Sequence, residues 1–491
     1  MEEVLTVATI TDRATRSVKW SALMEIVSRT ASPIITVILA RLLTPADFGV
    51  VATATIAISF AQMFWDAGLS KALVQTNEAP EKVAHVVFWT NLGLGLVIYV
   101  LLFFAAPWLA VFFNSPASGP VLRVLGLQIL IASLSSVQQA LFVRELDFRR
   151  LFWVKLFTAF IPGFFSIPLA FFGYGVWALV AGTLAGQTLN LMLLWRYSPW
   201  RPRMQYDLHL ARKMFGFGVW VVAESLGAWL ITWGDNLIVG RFLGIHDLGV
   251  YRTGWMLVTV IFGLVLNPFL PVLYPTFSRL QNDLPALKAN FHKVNRVVMA
   301  LALPMGVGLL LVGPEIASVL FGSKWQGLGL VLRVIGLMFG VAWLVGINPE
   351  LYRAMGRPDV NTKLMFVAIF YYIPAYFIAA KSGLETFVYV RFGVALVSMP
   401  IHIYLCRRML KVSPLYLWHA GKNFIVAAIA MAAGIGITKW GIHSTVPAMP
   451  EVAALALLII TGACVYMTIL WILDRSFVLQ TSHLIRRAVL T

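Results

Sequence analysis

Five arginines stand inside stretches otherwise apolar enough to lie in a membrane: Arg29, Arg123, Arg252, Arg333 and Arg391. A guanidinium stays charged at physiological pH, and its planar fork matches the oxygens of a phosphate or carboxylate. Hydrocarbon makes such a group expensive, so each must face a wet cavity or a partner. Carboxylates in the same setting are fewer, namely Glu25, Glu224 and Asp235. This excess of intramembrane cations fits an anionic ligand. For any one arginine, a local salt bridge or snorkelling to the interface is the structural alternative. Glu25 and Arg29 are four residues apart and share a helical face with Pro33. They form either a self-neutralising pair or part of a cavity wall, and Pro33, lacking an N–H, bends the helix that carries them. Glu224 and Asp235 are eleven apart, about three turns along one face. They suit coupling-ion ligation, a proton relay, or pairing with Arg241 or Arg252. Trp220, Trp229 and Trp233 share that helix and offer stacking surfaces.

Such residues need helices to hold them at depth. Of 491 residues, 60% are hydrophobic and 12% charged, more apolar surface than a soluble fold can hide. We read about fourteen spans, each near the ~20 residues that cross ~30 Å of hydrocarbon. The first half places them near 20–43, 46–67, 84–112, 120–142, 152–173 and 176–196. They continue near 214–236, 245–272, 296–313, 327–348, 364–380, 386–406, 420–440 and 450–473, and the long stretches 84–112 and 245–272 should each include an interfacial turn. The first span is not a cleaved signal, because Glu25, Arg29 and Pro33 interrupt it and no small-residue cleavage site follows.

The net charge of +17 concentrates in alternate loops, among them those with Arg144/Arg149/Arg150/Lys155, Arg201/Arg203/Arg212, Arg353/Arg357/Lys363 and Arg407/Arg408/Lys411. Loops 113–119, 173–175 and 381–385 carry almost no Lys or Arg. This positive-inside pattern predicts that both termini are cytoplasmic. It also removes any need for a nucleic-acid partner, since the charge sits at span ends rather than on one face. Cys406 and Cys464 lie within or at the end of spans, and the eight histidines are scattered. Neither a disulfide framework, a metal site nor a cofactor is expected.

The chain repeats itself. Leu39-Ala-Arg41-Leu-Leu-Thr-Pro-Ala-Asp47-Phe-Gly49-Val50 returns as Val239-Gly-Arg241-Phe-Leu-Gly-Ile-His-Asp247-Leu-Gly249-Val250. Val121-Leu-Arg123-Val-Leu-Gly126 returns as Val331-Leu-Arg333-Val-Ile-Gly336. Two echoes in the same order mark duplicated halves. The fold expected is an all-α integral membrane protein with two six-helix lobes, 1–200 and 201–412. A C-terminal helix pair and cytoplasmic tail, 413–491, follow. Six spans per half put the pseudo-twofold axis along the membrane normal. Arg41 and Arg241 each stand six residues before Asp47 or Asp247, a spacing that suits a salt bridge or cap holding the short hairpin. Gly182 and Gly186 form a GxxxG that should pack closely on a neighbouring helix.

The segment from Ile38 to Gly49, with Asp66-Ala-Gly68-Leu-Ser-Lys-Ala-Leu-Val-Gln75 and Leu141-Phe-Val-Arg144-Glu-Leu-Asp147-Phe-Arg149-Arg150, resembles the multidrug/oligosaccharidyl-lipid/polysaccharide (MOP) flippase superfamily. Within it the chain is similar to the polysaccharide-exporter branch, which includes colanic-acid and succinoglycan exporters. The resemblance implies two lobes flanking a V-shaped cavity in a bacterial inner membrane. It also implies a polyprenyl-diphosphate-linked oligosaccharide moved from the cytoplasmic to the periplasmic leaflet, with Arg29 and its fellow arginines meeting the diphosphate. Membrane lipids, a polysaccharide polymerase and chain-length machinery are the partners that follow from it. Two other classes compete. A cation-coupled multidrug exporter would favour an acidic, aromatic cavity over this basic one. A membrane glycosyltransferase or polymerase would need roomier outer loops, and no nucleophile elbow, P-loop or HExxH occurs.

Overall fold

The computed structural model describes residues 31–66, 68–75, 79–413 and 415–481, apart from the side chains of 66, 71, 75 and 213–224. Glu25 and Arg29 lie outside them, as does the side chain of Glu224. Among the described residues the chain is helical, without strands. The first half contains α1 (Ala31–Leu42), α2 (Pro45–Asp66), α3 (Leu69–Gln75), α4 (Pro80–Phe112), α5 (Ser118–Leu125), α6 (Leu127–Arg144), α7 (Phe148–Phe171) and α8 (Val176–Tyr197). Then come α9 (Leu208–Phe242), α10 (Ile245–Leu266), α11 (Leu270–Arg279), α12 (Leu284–Phe321) and α13 (Leu328–Ala342). Helices α14 (Asn348–Ala354), α15 (Asp359–Ala379), α16 (Leu384–Leu410), α17 (Tyr416–Thr445) and α18 (Glu451–Leu473) complete the order.

Eleven of the described helices or helix pairs are long and apolar enough to cross a membrane. The three remaining predicted spans fall on α1, of which the structure describes 31–42, on α9, and on α13, a helix of 15 residues. The expected count of fourteen is therefore not reproduced, although helices stand at all fourteen places. The interfacial turn expected within 84–112 is absent, since α4 runs unbroken for 33 residues despite Pro107. The turn expected near 272 is there: Asn267–Phe269 forms a single 3₁₀ turn between α10 and α11. Side chains such as Trp108, Phe164 and Phe171 are more than 70% exposed, as a lipid-facing surface requires.

Two compact units result, one ending at Arg252 and the other beginning at Thr253. In the first, α7 packs along α8, with α4, α5 and α6 beside α2. Gly182 lets the helices meet: a Cβ there would fall 1.9 Å from Ser166 Oγ and 2.5 Å from the Pro162 carbonyl oxygen. The GxxxG packing expectation is thereby met. Lipid gives helices no hydrophobic reason to associate, so such close backbone approach supplies much of the attraction. Helix α9, from the second repeat, also belongs to this unit. Its Trp229 Nε1 donates to Ser59 Oγ of α2 at 3.0 Å, and Trp229 packs edge-on against Phe60.

The second unit is built on α12, whose 38 residues hold α13 on one side and the α17–α18 pair on another. Met299, Ala300 and Leu303 of α12 bury against Phe424, Ala427 and Leu458. Polar contacts fasten the pair at several levels. Lys439 Nζ meets Glu315 Oε1 at 2.7 Å, Arg296 pairs with Asp474, and Tyr466 Oη donates to the Ala300 carbonyl at 2.8 Å. That carbonyl precedes Pro304 by four residues, so it is the acceptor that the missing proline N–H leaves empty.

Candidate functional site

The turn before α2 shows how the repeated motif is built. Thr44 is the N-cap and Pro45 the first helical residue, where its missing N–H is harmless. Asp47 Oδ2 accepts from Thr44 N at 2.9 Å and from Thr44 Oγ1 at 2.7 Å, while Asp47 N donates back to Thr44 Oγ1 at 3.3 Å. This reciprocal cap sets the angle at which α2 starts. The second copy lacks the threonine and turns instead on Gly244 at φ +89°, with His246 Nδ1 3.2 Å from Asp247 Oδ1. Arg241 lies over the Phe112 ring at 5.4 Å, and Arg41 is exposed. Pro33 is the third residue of the described part of α1.

Just inside these turns the two copies touch. A Cβ on Gly49 would fall 1.8 Å from the Ile245 carbonyl oxygen, and one on Gly249 1.8 Å from that of Pro45. The contact is reciprocal: position 49 meets 245 as 249 meets 45. Such self-complementary geometry is what a twofold axis produces. Here it arises within one chain, between helices that occupy equivalent places in the repeat.

Arg123 and Arg333 occupy equivalent places too. Arg123 Nε donates to the Phe103 carbonyl at 3.2 Å, and Arg333 Nε to the Leu310 carbonyl at 3.0 Å. Phe103 lies four residues before Pro107 and Leu310 four before Pro314, both prolines inside their helices. Each arginine thus satisfies a carbonyl that a proline has left without its helical donor. Each also lines a pocket, of about 600 Å³ beside Arg123 and about 350 Å³ beside Arg333. Arg252 lies over the Trp233 ring at 4.2 Å. Arg391, 7% exposed, is sandwiched between Trp255 at 4.1 Å and Tyr376 at 5.3 Å. Arginine favours such faces because its flat cation is weakly hydrated. Asp235 is 2% exposed and accepts from Tyr251 Oη at 2.5 Å and from Asn236 N and Nδ2, both at 2.7 Å. The structure therefore gives each of these groups a local partner set, with the prolines, aromatics and tyrosine taking roles that spacing alone did not assign.

The sequence reading passed over an open, partly polar cavity of about 530 Å³ lined by α2, α3, α6, α7 and α8, entirely within the first unit. Lys155, Gln187 and Asn190 line it, and Lys155 is half-buried. In the sequence Lys155 reads as one more loop charge, because it stands only about one turn into the predicted span 152–173. The visible signal was instead the amides: Gln62 interrupts apolar α2, and Gln187 and Asn190 interrupt apolar α8.

With this geometry in hand, comparison with known proteins places the chain. The polysaccharide biosynthesis protein family matches residues 38–329. The chain belongs to that family. It is similar to the succinoglycan biosynthesis transport protein ExoT of Rhizobium meliloti, 29% identical over 67% of this chain and 66% of that protein. The lipopolysaccharide biosynthesis protein WzxC of Escherichia coli is 27% identical over 74% of each chain. The teichuronic acid biosynthesis protein TuaB of Bacillus subtilis is 25% identical over 88% of this chain and 89% of its own. The fold is that of the lipid II flippase MurJ in an inward closed conformation, with a TM-score of 0.77 at 14% identity over 94% of this chain and 100% of that one. An inward-facing multidrug resistance MATE transporter gives 0.61 at 13% identity over 80% and 99%. The family member described here is thus a helical protein with eleven stretches apolar enough to cross a membrane among its described residues, and it shares its fold with MurJ and a MOP-superfamily MATE transporter.

Proposed function

We propose that this protein is a flippase that carries a polyprenyl-diphosphate-linked oligosaccharide repeat unit from the cytoplasmic to the periplasmic leaflet for surface or exopolysaccharide synthesis. The observation that carries the reading is the reciprocal Gly49–Gly249 crossing in a member of a polysaccharide biosynthesis family. Two repeats joined at a pseudo-symmetric contact can rock about it, and exchanging their tilts exposes a site alternately to each side. The lobes are taken as 1–200 and 201–412, with 413–491 as a helix pair and tail. Further support comes from the relatives, which include a succinoglycan transport protein. The protein is read as a transporter rather than an enzyme, in a bacterial inner membrane, with both termini in the cytoplasm as the loop charges require.

The arginines Arg29, Arg123, Arg252, Arg333 and Arg391 are the proposed contacts for the diphosphate, and Glu25, Glu224 and Asp235 the proposed coupling groups. Arg123 and Arg333 keep their Nη atoms for this purpose, since the Phe103 and Leu310 carbonyls engage Nε. The polyprenyl tail stays in lipid while the sugar crosses in water. Polymerase and chain-length proteins would receive the product.

Depletion of the protein from its host is expected to leave glycosylated polyprenyl diphosphate in the cytoplasmic leaflet, scored by an impermeant sugar-modifying reagent. Arg29→Ala should reproduce this block, and Arg29→Lys should ease it in part, because an ammonium keeps the charge but loses the fork. Unchanged outer-leaflet delivery in depleted cells, with drug sensitivity as the sole defect, would overturn the reading in favour of a drug exporter.

Orientation can be read separately. Cysteine at Arg149 or Arg357 should resist an impermeant maleimide in intact spheroplasts, and cysteine at Asn114 should react. The reverse labelling would turn the protein over.

A further inference from the structure

We propose that the open cavity lined by α2, α3, α6, α7 and α8 is a recognition site for the anionic, hydroxyl-rich head of the lipid-linked glycan, an inference that rests on the flippase reading above. At about 530 Å³ it is of the size that holds a small ligand. Lys155 is its one charged side chain among the described residues, and no carboxylate lines it there. A half-buried ammonium held between helices, with no acidic neighbour among the described residues of the wall, calls for an anion from outside.

The remaining wall supplies hydrogen bonds. Trp65 and Asn190 line the cavity and are 9% and 8% exposed. Trp65 Nε1 and Asn190 Oδ1 are buried without a partner. Buried polar atoms are almost always satisfied, and leaving one unmet costs about 1–3 kcal/mol. A sugar hydroxyl can accept from the indole and another can donate to the amide oxygen, removing both deficits. Gln62, Gln139 and Gln187 add three more amides, each able to donate and accept. This combination of indole, amides and one cation suits a polyhydroxyl ring bearing a negative charge and repels an organic cation. Helix α3 contributes Ser70 and Val74 to the wall, and is pinned there by Arg144 Nη1, which donates to the Leu73 carbonyl at 2.7 Å. The cavity lies at the end where α6 finishes and α7 begins. That is the arginine-rich end proposed to face the cytoplasm, from which the substrate would enter.

The negative charge has two sources, a carboxylate on the sugar or the diphosphate of the lipid. Binding to the full-length chain in nanodiscs would be measured with tetragalacturonate, cellotetraose and undecaprenyl diphosphate as probes. At least one anionic probe should bind more tightly than cellotetraose, and Lys155→Met should weaken it by about tenfold, the loss of one charge-assisted bond, while Lys155→Arg retains most of the affinity. Dependence on Lys155 for tetragalacturonate assigns the charge to the sugar, and dependence for undecaprenyl diphosphate assigns it to the headgroup. Asn190→Leu should weaken whichever probe carries the sugar. If neither anion binds, or if both bind Lys155→Met as they bind the wild type, the site is wrong. A folded Lys155→Met chain that delivers repeat units at the wild-type rate also overturns the site and leaves the flippase reading standing. Failure of the depletion assay on the wild type overturns that reading itself.

Discussion

Leucine at Gly49 or Gly249 is expected to abolish export in a complementation assay, and alanine at either position to cut it severely. A Cβ at each would stand 1.8 Å from a carbonyl oxygen of the opposing helix. Both obstacles are backbone, so no change of rotamer relieves them, and α2 and α10 must separate. Overpacking a tight contact costs about 1–3 kcal/mol, roughly one to two powers of ten in any equilibrium that needs it. If the crossing is the point about which the repeats rock, the alanine pair should lower export more than it lowers thermal stability. Gly308 provides the control: a Cβ there meets nothing within 4 Å. Alanine in that helix interior should stabilise by up to about 1 kcal/mol and leave export unchanged. Normal export by Gly49→Ala together with Gly249→Ala would show that the contact is dispensable.

A second large effect is expected at Arg333, and its size should depend on Pro314. Arg333→Ala strands the Leu310 carbonyl inside the membrane and should destabilise the protein by about 1–3 kcal/mol in an unfolding titration. Pro314→Ala returns an N–H to that carbonyl. In the Pro314→Ala background, removing Arg333 should therefore change stability by no more than about 0.5 kcal/mol, the usual scatter of independent sites. Pro107 and Arg123 allow the same cycle in the first repeat. An Arg333→Ala penalty that persists undiminished without the proline would mean that the arginine supports something other than the helix bend. Export measured on the same four proteins separates the two duties of the side chain. If the Nη atoms also meet substrate, the double variant should be stable yet slow.

Hydropathy made the spans legible because apolar runs end where water begins. Helix α8 covers Val176–Tyr197 against an expected 176–196, and α18 covers Glu451–Leu473 against 450–473. Helix α12 starts twelve residues before its predicted span, at Leu284 rather than 296, because Lys288 and Lys293 stay helical outside the apolar stretch. The short helices α3 and α14 carry too few residues for any periodicity to show. The repeat was visible, but not that Gly49 and Gly249 would meet each other. The site was harder still. Charge in a span announces a need for a partner without naming it. Arg333 finds a carbonyl on α12, Arg391 finds Trp255 and Tyr376, and Asp235 finds Tyr251, all through tertiary packing. Lys155 was counted with the loops because nothing local shows that it and α3 line one cavity.

The contacts from α18 and α17 to α12 bear on how such proteins can recombine. Tyr466 completes a bend made by Pro304, Lys439 answers Glu315, and Asp474 answers Arg296. A hybrid that joins the first sixteen helices of this chain to the last two of a distant cousin would inherit a prolyl bend without its hydroxyl and two ions without counterions. Viable chimeras should therefore cross over before Leu284 or not at all, so that this block of sequence passes down lineages as a single heritable unit.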